Sequence, residues 1–239
     1  MRNDPVLGVI LLEADHSVET VGWTDPFSWE PLAGLSVSFF GHPRHWPLPA
    51  VFAVARGATG TTSALGTQEA VQGVADAIGR LDGHCDLIVG GCGYFGDAWP
   101  LLDQPPAAFT LLSALDLVDA TLASTSRDIV VMSASTAAAR RVTGRHPQSS
   151  RIRLIGLDGV GEWANFARPD WASSGLVTDS GIVAGLRTVL ERHAAPGGLL
   201  DGIGAVLLEC TVLPYHRGVI REYTDAPIID VERVLIGAL

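Results

Sequence analysis

Two of the three cysteines, Cys92 and Cys210, each close a short apolar run in surroundings that look like copies of one another. The first run is Asp86, Leu87, Ile88, Val89, Gly90, Gly91, Cys92, and the second is Gly204, Ala205, Val206, Leu207, Leu208, Glu209, Cys210. Small or turn-prone residues follow each cysteine. Then come a segment that can be helical, a proline (Pro106 or Pro227) and a new apolar run. A thiol at the carboxyl end of a buried strand, next to a helix N-terminus, stands where open α/β sheets hold their ligands, and that position lowers a thiol pKa. Two such thiols facing one substrate could take a proton from one side of a carbon and return one to the other. The ordinary role of a free cysteine is that of a small buried hydrophobe; the matched settings set this pair apart. Cys85 opens its run instead of closing it, so it reads as structural.

The elements that would hold these thiols alternate between strand-length apolar runs and helix-length segments, the pattern of βα units around a parallel sheet. Strands are expected at residues 6–12, 50–55, 86–89, 107–111, 129–132, 152–157, 205–208 and 227–229. Helices are expected at 68–81, 114–122, 136–142, 182–193, 215–223 and 231–239. In residues 68–81, Val71, Val74, Ala75 and Ile78 share one helical face. Residues 15–45, 91–104 and 156–179 have no clear period, and connections of such length are usually functional. The repeat around the two thiols predicts two similar α/β halves. One carries Cys92 and comprises residues 1–105 plus 212–239; the other carries Cys210 and comprises 106–211. The crossover follows if the runs after the cysteine loops change halves.

The chain has 239 residues, 47% of them hydrophobic and 18% charged, enough for two cores. A formal charge of −10 argues against nucleic acid or an anionic membrane as partner. A small anionic substrate remains open, because converging backbone N–H groups can bind an anion inside an acidic protein. Three cysteines do not make a disulfide framework, and free thiols fit a reducing cytoplasm. Met1 to Pro5 leads into an apolar stretch without a signal-peptide pattern, and no apolar run approaches the roughly 20 residues of a membrane span.

With these pieces in place, the sequence resembles the aspartate/glutamate/hydantoin racemase superfamily, in a less characterised branch. The matching pieces run from Leu7 to Glu13, from Ala55 to Thr59, from Gly91 to Phe95, from Ile129 to Ser133 and from Glu209 to Pro214, in family order over nearly the whole chain. The resemblance implies two flavodoxin-like halves with mainly parallel sheets and an active site in the cleft between them. It also implies catalysis without pyridoxal phosphate, another cofactor or a metal. Cys92 and Cys210 would then be the acid–base pair, with Thr211 and the loop amides of Gly93 and Tyr94 on the substrate carboxylate. Assembly into a homo-oligomer is a further expectation. Gly93 and Tyr94 stand where the better-known racemases tend to have Asn and Thr, and Glu209 where they tend to have Gly.

Several hydroxyls and one acid complete the candidate site. Ser133, Ser135 and Thr136 lie between a strand and a helix, as at an anion-binding N-terminus, although N-capping is their ordinary role there. Thr110 and Ser113 follow the Cys92 loop and are similar to a hydroxyl-rich stretch of the family. Glu13 ends the first strand; if it faces the site it would repel a carboxylate or bind an amino group, which makes it a specificity candidate.

Other chemistries have weaker support. Gly91, Gly93 and Gly96 fit a dinucleotide-binding spacing, but mid-chain and around the thiol. A cysteine hydrolase needs a histidine beside its thiol; only His216 is near one in sequence, and it reads as a helix-surface residue. His42 and His45 lack a partner carboxylate at metal-site spacing and read as a surface turn. Trp23, Trp29 and Trp99 could line a pocket or fill the core. Two further functions stay open: a maleate-type cis–trans isomerase with covalent cysteine catalysis, and a non-catalytic small-molecule binding protein.

Overall fold

The computed structural model describes residues 5–13, 40–41, 45–167 and 177–237. These form two compact units, one up to Ser113 and one from Ala114 onward.

The first unit contains β1 (Leu7–Leu12), β2 (Ala50–Ala55), α1 (Gly60–Leu65), α2 (Gln68–Leu81), β3 (Leu87–Gly90), a 3₁₀ turn (Phe95–Leu101) and β4 (Phe109–Leu111). All strands are parallel, in the order β2-β1-β3-β4. The inner strands read as continuous apolar runs because both faces of a parallel sheet are covered; Val9, Ile10, Ile88 and Val89 are wholly buried. Helix α2 starts where the Thr67 hydroxyl accepts the Ala70 N–H (3.3 Å) and buries Ala70, Val74, Ala77, Ile78 and Leu81 on one face. It can lie close to the end of β2 because Gly73 has no Cβ: one placed there would come within 1.8 Å of the Arg56 carbonyl oxygen. On edge strand β2 the Arg80 guanidinium donates to the Val54 carbonyl (2.7 Å), occupying an acceptor that an exposed edge would otherwise offer to another chain.

The second unit repeats the plan. A 3₁₀ turn (Ala114–Leu117) and α3 (Val118–Ala123) lead to β5 (Ile129–Ser133), α4 (Thr136–Thr143), β6 (Ile152–Gly156) and a 3₁₀ turn (Gly161–Ala167). Then follow α5 (Asp179–Ala194), β7 (Ala205–Leu208), a 3₁₀ turn (Leu213–His216), α6 (Arg217–Arg221), β8 (Ile228–Ile229) and α7 (Val231–Gly237). The strands are again parallel, in the order β6-β5-β7-β8. Trp163 fills the core of this unit at 2% exposure and donates its indole N–H to the Ile182 carbonyl (2.9 Å).

The expected exchange of segments between halves does not occur. Strand β4, assigned to the second half by the break at 106, pairs with β3 (Leu87 with Phe109, Val89 with Leu111). Strand β8, assigned to the first half, pairs with β7 (Val206 with Ile228, Leu207 with Ile229). Each proline-led strand returns to the edge of the strand its own cysteine loop has just left. The expected helices at 114–122 and 215–223 are each a 3₁₀ turn running into a short α-helix. Helix α1 was not expected, since Thr61, Thr62 and Ser63 give it no apolar period. Among the described residues no helix is long and apolar enough to cross a membrane.

Candidate active site

In the first sheet, β2 lies on one side of β1 while β3 and β4 lie on the other. The carboxyl ends of β1 and β3 therefore flank the point where the winding reverses, the usual ligand position of a doubly wound sheet. Glu13 follows β1 there and Cys92 follows β3. The Gly91 N–H donates to the Ile10 carbonyl (2.8 Å), carrying the β1–β3 pairing one step beyond the strand. The glycine pair before the thiol has a packing cause: a Cβ on Gly90 would meet the Leu112 oxygen at 1.9 Å, and one on Gly91 the Ile10 oxygen at 2.7 Å. Half-buried Cys92 packs partly against the apolar core of this unit. Gly93 and Tyr94 are buried, and the Ser113 hydroxyl donates to the Gly93 carbonyl, tying the end of β4 to the cysteine loop.

The second sheet repeats this geometry. Glu209 N–H donates to the Met132 carbonyl (2.9 Å) just beyond the β5–β7 pairing, so Glu209 stands where Gly91 stands in the first unit and Cys210 where Cys92 stands. Burial of the sulfur and the adjacent Glu209 carboxylate push the Cys210 pKa up to about 12, against the opposing pull of the Val212 and Leu213 backbone N–H groups. Cys210 therefore holds its proton at neutral pH, and the two amides are placed to stabilise a thiolate when one forms. Thr211 is half-buried beside it.

His216 is a correction: it is buried at 7% exposure, because the 3₁₀ turn carries its ring inward from the surface position expected of a regular helix. Its Nε2 lies 4.0 Å from Asp179 Oδ1. Burial pushes its pKa down and Asp179 acts in the opposite direction.

The remaining candidates divide. Thr110 sits mid-strand opposite Ile88, and its hydroxyl turns back to the Ala108 carbonyl (3.0 Å); Ser113, not Thr110, reaches the cysteine loop. Ser133 donates to the Ser135 carbonyl (3.0 Å), and the Ser135 hydroxyl caps α4 by accepting the Ala138 N–H (3.3 Å). Thr136 donates both its N–H (2.6 Å) and its hydroxyl (2.7 Å) to Asp158 Oδ1, so a carboxylate of the chain already occupies this helix start. Burial raises the Asp158 pKa, but the bonds from Thr136 outweigh it and the net shift is downward. Glu13 Oε2 accepts the Gly57 N–H (2.7 Å), while the Glu13 N–H donates to the Ala58 carbonyl (2.8 Å). Asp158 and Gly57 escaped the sequence reading; the strand-end sequence Leu157, Asp158, Gly159 was the available signal for the first.

Cys85, half-buried, is pushed up to about 12 by burial and by Asp86 and Asp82. His45 meets Phe40 at a tilt and Trp46 edge-on in an aromatic cluster, and Trp99 packs against the core of the first unit. His42, Trp23 and Trp29 lie outside the described residues. Among the described residues no group of three or more His, Cys, Asp or Glu is placed to hold a metal ion. A small recess behind the Cys92 loop is lined by Ser63, Val71, Val74, Tyr94, Phe95 and Asp97, among others.

No family model matches the chain, and no curated protein matches it. Solved structures do. Picrophilus torridus aspartate racemase is 16% identical, with 98% of this chain and 92% of that one covered at a TM-score of 0.51. Escherichia coli glutamate racemase, solved with L-glutamate and an activator, is 14% identical, with 99% of this chain and 81% of that one covered at a TM-score of 0.54. Over nearly its whole length, the chain thus has the two-sheet α/β fold found in aspartate and glutamate racemases.

Proposed function

We propose that this protein is a cofactor-independent racemase or epimerase acting at a carbon next to a carboxylate, with Cys92 and Cys210 as its acid–base pair. The observation that carries the reading is the equivalence of the two thiols: each lies two residues past the third strand of its sheet, beside the switch point, after an N–H bond to the first strand. The fold shared with two racemases supports the same reaction class.

Racemisation without a metal or pyridoxal needs a base on one face of the stereocentre and an acid on the other. With its pKa pushed up to about 12, Cys210 starts as the protonated partner, and Cys92 is assigned the part of the base that takes the α-proton. The C–H electron pair moves into the carboxylate as an enediolate, Cys210 delivers its proton to the opposite face, and the roles reverse for the return reaction. The nearby Val212 and Leu213 backbone N–H groups favour the thiolate left on Cys210. Loop amides at Gly93 and Tyr94, with the Thr211 hydroxyl, hold the carboxylate and its developing charge.

Loss of optical activity from single enantiomers of small carboxylic acids tests this reading. Wild-type protein should racemise at least one class of them, and Cys92→Ser and Cys210→Ser should each abolish the activity. Full turnover by both variants rejects the mechanism. A cysteine adduct with an unsaturated diacid, found by mass spectrometry in the absence of racemisation, would assign the cis–trans isomerase instead. Ligand-induced stabilisation alone would assign a binding protein.

A further inference from the structure

We propose that a recess between α1, α2 and the 3₁₀ turn after Cys92 is a binding site for one water molecule, and that Ser63, which holds this water, is a positioning residue for the Cys92 loop. The site lies wholly in the first unit and does not depend on the racemase reading.

Ser63 lies in α1 and is only 4% exposed. Its backbone is satisfied: the N–H donates to the Thr59 carbonyl (3.0 Å) and the carbonyl accepts the Gly66 N–H (3.0 Å). Its hydroxyl is not, and Oγ has no hydrogen-bond partner among the described residues. Two neighbouring hydroxyls of the same turn are both committed. Thr59 Oγ1 accepts the Thr62 N–H (3.1 Å), and the Thr62 hydroxyl donates to the Gly57 carbonyl (2.6 Å). Buried hydroxyls in other helical turns reach back to the carbonyl one turn earlier, Thr121 to Leu117 (2.7 Å) and Thr143 to Ala139 (2.8 Å), the usual recourse of a helical Ser or Thr. Ser63 makes no such bond. A buried hydroxyl left unpaired is unfavourable, and ordered water is the common partner of such a group.

The recess gives that water its place. Ser63 lines it from α1, Val71 and Val74 from α2, and Tyr94, Phe95 and Asp97 from the cysteine loop and its 3₁₀ turn. It has room for about one water molecule. Wholly apolar walls would leave such a space dry, but Ser63, Tyr94 and Asp97 bring polar groups to it from two directions. The far wall is joined to the thiol residue itself: the Phe95 N–H donates to the Cys92 carbonyl (3.2 Å), so the 3₁₀ turn starts from the Cys92 backbone. Helix α2 packs along the same turn. A water bridging Ser63 to Tyr94 or Asp97 therefore ties α1 to the thiol loop, with nearly the strength of a direct hydrogen bond, in addition to the tie from Ser113.

Oxygen-17 magnetic relaxation dispersion on the full chain counts long-lived internal waters and tests the site. Ser63→Ala removes the hydroxyl, and Ser63→Val removes it and fills the recess with methyl groups. Each should lower the dispersion amplitude by one water relative to wild type, with circular dichroism confirming that the variants fold. The positioning role is read at the thiol: iodoacetamide alkylation of Cys92, resolved from Cys85 and Cys210 by mass spectrometry, is followed against pH. Ser63→Ala should speed Cys92 alkylation about three- to tenfold across the profile, the rate equivalent of one hydrogen bond, and leave Cys85 and Cys210 at their wild-type rates. An amplitude unchanged in both variants overturns the water site. A lost water with all three alkylation rates unchanged, or raised together, overturns the positioning role. None of these measurements uses a substrate, so their failure leaves the racemase reading standing.

Discussion

Asp158 Oδ1 accepts both the backbone N–H and the side-chain hydroxyl of Thr136, 22 residues earlier in the chain, and so joins the loop after β6 to the start of α4. Removing it should do two things. Asp158→Ala should destabilise the protein by about 1 kcal/mol, the usual scale for losing a helix N-terminal acceptor, read as a lower urea midpoint at unchanged slope. Because the folded pKa of Asp158 lies below its ordinary value, its contribution is present above about pH 3.9 and disappears as pH falls toward the folded value. The gap between wild type and variant should therefore close in acid. A gap that stays constant down to pH 2 would contradict the assignment.

The glycines of α2 give a contrast within one helix. At Gly73 an added Cβ would lie 1.8 Å from the Arg56 carbonyl oxygen, whereas at Gly79 nothing lies within 4 Å. Gly73→Ala should cost about 1–3 kcal/mol or more through overpacking. Gly79→Ala should stabilise by about 0.5–1 kcal/mol, since alanine removes the helix penalty of glycine without a clash. Thermal melts of the two variants should move in opposite directions.

Two thiols should make stability fall in base. Cys85 and Cys210 both have folded pKa values near 12 against an ordinary 9.0. Protons held by the fold are thus released on unfolding between those values. Their contribution is complete below pH 9 and is lost as pH rises toward 12. Urea midpoints should decline over that window, and Cys85→Ala with Cys210→Ala should flatten the decline. At pH 8 both thiols should react with iodoacetamide more slowly than a free peptide cysteine; equal rates would contradict their burial.

Ser113→Ala probes the tie between β4 and the Cys92 loop. Loss of its bond to the Gly93 carbonyl should cost about 1 kcal/mol of stability and lower kcat more than it raises KM, because the thiol loop loses its anchor. Unchanged kcat would make the tie purely structural.

Much of this was legible in the chain because its signals are local. The apolar run ending at Cys210 has the length of a strand buried on both faces, and residues 68–81 carry a helical stripe between Thr67 and Asp82, so strand β7 and helix α2 were located correctly. The pairing of β4 and β8 was not legible. At three and two residues they are too short to carry a period, and which edge a short parallel strand joins depends on the path of the connection. The role of Glu13 depends on an amide 44 residues away, and that of Asp158 on one 22 residues away; no spacing rule links such pairs. His216 was misplaced because its sequence fits a regular helix, whereas it closes a 3₁₀ turn beginning at Leu213 and is buried there.

The most direct test of the central claim is the isotope content of substrate and product in the first turnovers in D₂O, once a racemised acid is in hand. If the two thiols act as proposed, from opposite faces of the carbon, the proton leaves to one sulfur and deuterium arrives from the other. The newly formed enantiomer should carry deuterium from the first turnover while recovered substrate stays protiated, and neither Cys92→Ser nor Cys210→Ser should show the signal. Deuterium entering substrate and product at equal rates, or a product that keeps its original proton, would mean that a single group does the work and would contradict the two-thiol account.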